Sequence, residues 1–156
     1  MWLIARLGAI ALVILALRGK RWAYASFVVV SLLYFPAQVG FRLQPQACEL
    51  APTLQLAVFS LQNTAHVIIF GAFYGLSWIQ FRRAGRAAFA WAALATLVMG
   101  ALLEIAQGLT GQGHCRLRDL VPDATGAALA LLLIALGTSY VARRAQGQRR
   151  DPPVAA

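Results

Sequence analysis

The chain has 156 residues, of which 60% are hydrophobic and only 12% charged. A soluble domain keeps about a quarter of its residues charged, so a soluble globular fold is excluded and much of the surface must face lipid. Lys and Arg outnumber Asp and Glu by 14 to 5, but most of the basic residues cluster just outside apolar runs. That is the pattern of topological anchoring beside an anionic leaflet, and no nucleic-acid partner is expected.

Five apolar segments follow one another: about Trp2–Leu17, Trp22–Val39, His66–Phe81, Ala87–Gly108 and Leu120–Val141. Crossing a hydrocarbon layer of about 30 Å takes roughly 20 helical residues. The first two runs are a little short. Arg6 lies one turn into the first, from where a long side chain can snorkel to the interface. Trp2 and Trp22 flank that run like interfacial anchors, and Ser60–Ala65 could extend the third. The first run carries its charges, Arg18, Lys20 and Arg21, after the apolar stretch rather than before it. A retained helix is expected, not a cleaved signal peptide.

The expected fold class is all-α: a polytopic membrane protein, a bundle of about five transmembrane helices in residues 1–144. The polar, proline-bearing segment 145–156 has nothing to bury and is expected to be a disordered cytoplasmic tail. Orientation follows the positive charges. Arg18, Lys20 and Arg21, then Arg82, Arg83 and Arg86, then Arg143, Arg144, Arg149 and Arg150 share one side, against Arg42, Arg116 and Arg118 on the other. Ten against three places the first group in the cytoplasm, with the N-terminus outside and the C-terminus inside. No internal repeat or soluble domain is visible. Both cysteines, Cys48 and Cys115, fall in the two outer loops, where an oxidising compartment would let them pair; two free thiols is the alternative.

An ionisable group within a span is costly enough to be a functional candidate by default. His66 opens the third span. Glu104 lies about 26 Å along the fourth, by helical rise from its cytoplasmic end. Asp119 and Asp123 straddle the start of the fifth. Three helices therefore bring His, Glu and Asp to one depth at the outer boundary. Gln107 shares a helix face with Glu104, and Asp123 with Asp119. The plain account of Asp119 is an N-cap for the helix that Leu120-Val-Pro122 begins. Asp123 needs a partner among His66, Arg116 and Arg118. Gly126, Ala127 and Ala130 would allow a close helix approach, as would Gly71 and Gly75. The cluster could run acid–base chemistry on a headgroup, with His66 or Glu104 taking a proton and Arg116 or Arg118 holding an anion. It could hold a divalent cation, although the spacing is not that of a metal motif and no cofactor is expected. Or it could be a salt-bridge network that fixes helix packing.

At these residues the chain resembles the VanZ-like family, associated with resistance to the glycopeptide teicoplanin. The likeness rests on His66 after Asn63-Thr-Ala, with Phe70 and Tyr74 following. Glu104-Ile-Ala-Gln107 comes next, then Asp119-Leu-Val-Pro-Asp123-Ala-Thr-Gly126. It runs from Asn63 to about Gly126, within a family core of about residues 63–141. The family pattern is a His, then E-x-x-Q, then D-x-x-x-N-x-x-G. Asp123 stands where the family has Asn, and Gly113 where it usually carries an arginine, so any anion here would be held from elsewhere. The resemblance implies a bacterial inner-membrane protein with a cell-envelope role. Its outward-facing pocket of His66, Glu104, Gln107, Asp119 and Asp123 would bind or modify an envelope component, such as a lipid-linked glycan or an amphipathic glycopeptide antibiotic. A membrane enzyme or metalloprotein acting on a lipid headgroup, and a structural subunit of a membrane assembly, are the alternatives. A transporter is disfavoured, because no inverted repeat is visible.

Overall fold

The computed structural model of the chain describes residues 2–50 and 53–150, with the side chains of 6–50 and 53–146. Six helices follow in order: α1 (Trp2–Leu17), α2 (Arg21–Gln38), α3 (Leu54–Ser60), α4 (Thr64–Phe81), α5 (Ala87–Thr110) and α6 (Leu120–Arg150). Single 3-10 turns, Arg82–Ala84 and Leu117–Asp119, precede α5 and α6. Among the described residues the β structure is limited to one isolated bridge, between Glu49 and Arg116.

Three stretches are long and apolar enough to cross a membrane: Thr64–Ala84, Ala87–Thr110 and Leu117–Gln146. They contain the last three of the five expected runs. The other two are shorter helices. The 16 residues of α1 rise about 24 Å, less than the hydrocarbon thickness, and α2 is interrupted near its end by Pro36. Of Ser60–Ala65, only Thr64 and Ala65 extend the third run, because α3 ends at Ser60 and a turn at Leu61–Asn63 separates it from α4. At the other end, α6 continues to Arg150, into the segment whose composition predicts disorder. Residues 151–156 and the side chains of Trp2, Arg149 and Arg150 lie outside the described residues, so the reading of Trp2 as an anchor and of the last arginines as a charge cluster falls there too.

The centre of the bundle is α4, which packs most extensively against α6 and α5 and also touches α1 and α2. It buries Phe70, Phe73, Tyr74, Leu76, Ser77 and Gln80. The buried polar groups on this helix are tied to its neighbours: Tyr24 Oη lies 2.9 Å from Ser77 Oγ, Tyr74 donates to the Phe89 carbonyl, and Gln80 Nε2 donates to the Ala16 carbonyl at 2.7 Å. With no water in a bilayer core, polar groups must be satisfied within the protein, and these bonds meet that need except at Gln80 Oε1, which has no partner among the described residues. Opposite lies a stripe along α5 that repeats every four residues: Ala88, Ala92, Thr96, Gly100, Glu104 and Gly108, all buried. Small side chains at that spacing let helices approach closely. Glu104 is the ionisable member of the stripe. The outward faces carry exposed Leu132, Leu133 and Leu136 on α6 and Ile68 and Ile69 on α4, which suits contact with lipid.

Candidate functional site

The site lies at the end of the bundle where α4 and α6 begin and α5 finishes. α4 and α6 run parallel from that end and come together at Gly126. A Cβ placed there would overlap the Val67 carbonyl oxygen and sit 2.9 Å from Gly71 N, so only glycine permits the approach. The consequence is one turn away. His66 Nδ1 reaches Asp123 Oδ1 at 2.8 Å, with the Asp123 side chain 1% exposed and that of His66 27%. The imidazole is held from its other side by Phe70, stacked at 5.9 Å between centroids.

The second carboxylate oxygen of this pair is unusual. Asp123 Oδ2 is buried and has no hydrogen-bond partner among the described residues, whereas buried polar atoms are nearly always bonded. It points at α5, where a Cβ on Gly100 would come within 2.7 Å of it. The glycine thus makes room for the carboxylate. The His66 ring is partly exposed, and a carboxylate against Nδ1 is the arrangement that orients an imidazole for proton transfer at its other nitrogen. Oδ2 offers a second acceptor, buried behind it.

Glu104 serves a different bond. Its Oε2 accepts from the Arg116 backbone N–H at 2.7 Å, which ties the loop after α5 down onto the bundle. One turn further on, Gln107 lies beneath Gly113. Gly113 has φ +88°, and a Cβ on it would meet Gln107 Cδ at 3.2 Å and Oε1 at 3.3 Å. An arginine at this position would need a backbone conformation that side chains rarely adopt and would displace Gln107. The loop at this position is therefore built for glycine.

The sequence leaves three partners open for Asp123, and the geometry selects His66. Arg116 and Arg118 turn instead to Glu49, with Nε–Oε2 at 3.8 Å and Nη1–Oε1 at 3.6 Å. Neither guanidinium forms an ion pair with the polar cluster among the described residues. Asp119 ends the 3-10 turn before α6, and no hydrogen bond of its side chain is found among the described residues, so the N-cap account gains no bond. It is nonetheless within electrostatic reach of His66, Glu104 and Asp123. Of the expected pocket, His66 and Asp123 are in contact, Glu104 and Gln107 underlie the adjoining loop, and Asp119 stands at the rim. Among the described residues no group of three or more His, Cys, Asp or Glu is arranged to hold a metal ion.

The loop after α2 closes this end. Gln44 N and Gln46 N donate to the Leu109 and Gly108 carbonyls at 2.9 Å each, capping α5, and Glu49 pairs its backbone with Cys115 and Leu117. Cys48 and Cys115 are joined, S–S 2.00 Å, Cα–Cα 4.8 Å. The bridge packs on Gly108, where a Cβ would stand 2.7 Å from Cys48 Sγ. Glu49 is the residue that reading the sequence misses; lying outside every apolar run, it carries no signal beyond its neighbour Cys48. Gly100 was detectable in principle, as part of the four-residue stripe in α5.

A sequence profile of the VanZ/LLP1 family matches residues 2–138. The chain belongs to that family. No curated protein and no solved structure matches it. In this VanZ/LLP1 chain the match takes in α1 and α2 as well as the three motifs, so the helices in front of His66 belong to the family unit. The chain is accordingly an all-helical membrane protein whose motif residues cluster at one end of the bundle.

Proposed function

We propose that this protein crosses the bacterial inner membrane five times, N-terminus outside. Its polar end would then be an outward-facing site that binds or modifies a cell-envelope component, a lipid-linked glycan or an amphipathic glycopeptide antibiotic. The observation that carries the reading is the His66–Asp123 pair. Asp123 holds the imidazole from the buried side at 2.8 Å, while the ring, 27% exposed, stays open to a ligand. A ligand would meet the exposed part of the ring, which Asp123 orients. The ten-to-three distribution of Lys and Arg supports the orientation, and family membership supports an envelope role.

One observation favours a second reading, in which the cluster serves assembly: Glu104 caps a backbone N–H, a structural task. The two readings separate in one experiment. His66→Ala, Glu104→Gln, Asp119→Asn and Asp123→Asn are scored for membrane abundance and for teicoplanin susceptibility. Normal abundance with altered susceptibility establishes a working site. Loss of abundance in all four assigns the cluster to packing.

A further inference from the structure

A concave feature that is almost wholly apolar lies beside the polar end. α1, α2, α4 and α5 enclose a groove of about 680 Å³, a size typical of small-molecule sites (roughly 300–1,000 Å³). Its charged lining group is Arg6, and among the described residues no acidic side chain pairs with it. Arg6, Tyr34 and Ile69 lie at the end shared with His66; Leu17, Phe27 and Leu76 lie toward the other. From Arg6 to Leu17 a helix rises about 16 Å, half the hydrocarbon thickness and thus the depth of one leaflet. Phe70 lines the groove and also stacks on His66, so a single ring separates the two features.

We propose that this groove holds an acyl chain of an anionic membrane lipid, with Arg6 on the phosphate of its headgroup. A one-leaflet apolar trough accounts for the chain. A cation at its mouth, one turn inside a helix and without an acidic partner, accounts for the headgroup, because guanidinium binds phosphate through charge-assisted, bidentate hydrogen bonds. A bulk zwitterionic lipid would satisfy the trough and serve the arginine less well, because its own ammonium group offsets the charge of its phosphate. This inference rests on the reading of the polar end as a ligand site, since it places a lipid headgroup within one ring of His66 and so names the substrate class that site would meet.

The test uses the full chain in phosphatidylcholine nanodiscs carrying a small fraction of a photoactivatable-chain probe, either phosphatidic acid or phosphatidylcholine. Labelled residues are mapped by mass spectrometry. The expected result is labelling of residues 9–17 and 69–76 by the phosphatidic acid probe roughly fivefold above the phosphatidylcholine probe, the scale of one charge-assisted contact at a half-wet site. Arg6→Gln abolishes that preference and Arg6→Lys keeps part of it. Ala72→Phe, which fills the groove, lowers labelling by both probes. Equal labelling by the two probes, labelling no denser than on the exposed Leu132–Leu136 face of α6, or a cross-linked second copy in place of lipid would each overturn the proposal. The wild-type ratio alone decides the case if Arg6→Gln fails to insert. Lipid preference kept while the polar-end variants show no phenotype refutes the reading of that end and spares the groove; a phenotype without lipid preference does the reverse.

Discussion

Alanine at Gly126 should separate α4 from α6 and open the His66–Asp123 contact with them. The added Cβ overlaps the Val67 carbonyl oxygen, a backbone atom that cannot turn aside, so α6 must retreat by about 1 Å to restore van der Waals distance. Overpacking of this kind costs typically 1–3 kcal/mol. The retreat also weakens the 2.8 Å bond one turn away, a charge-assisted contact of roughly 1.5–3 kcal/mol. Alanine returns up to about 1 kcal/mol in helix propensity. The net expectation is a loss of about 3 kcal/mol. Two neighbouring glycines are internal controls. A Cβ on Gly71 would meet the Gly126 carbonyl at 3.2 Å, and one on Gly75 would meet nothing within 4 Å. Gly71→Ala should be close to neutral, and Gly75→Ala neutral or up to about 1 kcal/mol stabilising. Melting midpoints of the three purified variants in one detergent measure the order directly. If Gly75→Ala falls as far as Gly126→Ala, or Gly126→Ala melts with the wild type, the close approach is not what holds these helices.

His66→Ala leaves the Asp123 carboxylate buried without any partner and should cost about 2–3 kcal/mol in the same melts, while Asp123→Asn, which keeps shape and an acceptor, should cost less than about 1.5 kcal/mol. Glu104→Gln can still accept from the Arg116 N–H and should melt near the wild type; Glu104→Ala leaves that donor unmet and should lose about 1–2 kcal/mol. Breaking the Cys48–Cys115 bridge releases a loop with a sequence separation of 67 residues, worth at most about 4 kcal/mol by chain entropy. The measured loss on adding reductant should be smaller, because membrane helices already restrict the unfolded chain. Gly113→Arg should fail to reinstate a family-like site and instead lower the melting midpoint, by about 1–3 kcal/mol of backbone strain plus the displacement of Gln107.

Apolar run length located α4, α5 and the start of α6 to within a few residues, since that signal depends on the cost of exposing polar backbone to lipid. That signal does not reach the polar end of α6, which runs nine residues past Val141. It located α1 and α2 equally well, but at 16 and 18 residues they sit near the threshold for crossing, which run length alone does not decide. The short helix α3, Leu54–Ser60, lies outside every apolar run that reads as a span and carries no such signal. Within the site, the helical positions of His66, Glu104 and Asp123 fixed a shared depth before any geometry was known. Depth does not fix azimuth: which of His66, Arg116 and Arg118 meets Asp123 depends on how far α6 is rotated, and that is set by Gly126 against Val67. The fate of the arginines depended on Glu49, some 70 residues away in the chain, which no local pattern connects to them. The family motif identified Gly126 as a conspicuous position, and the α4–α6 approach supplies its reason.

The strap formed by residues 44–49 imposes an order on biogenesis. The carbonyls it covers belong to the finish of α5, and its anchor points, Cys115 and Leu117, are synthesised later still. At about 5–20 residues per second, a ribosome needs roughly 3–13 s to make the stretch between the two cysteines. Throughout that interval Cys48 is an unmated thiol open to a wrong partner. Oxidative sealing consequently waits until α5 and the loop after it have been made, and up to that point the earlier helices have only their non-covalent surfaces to hold them together.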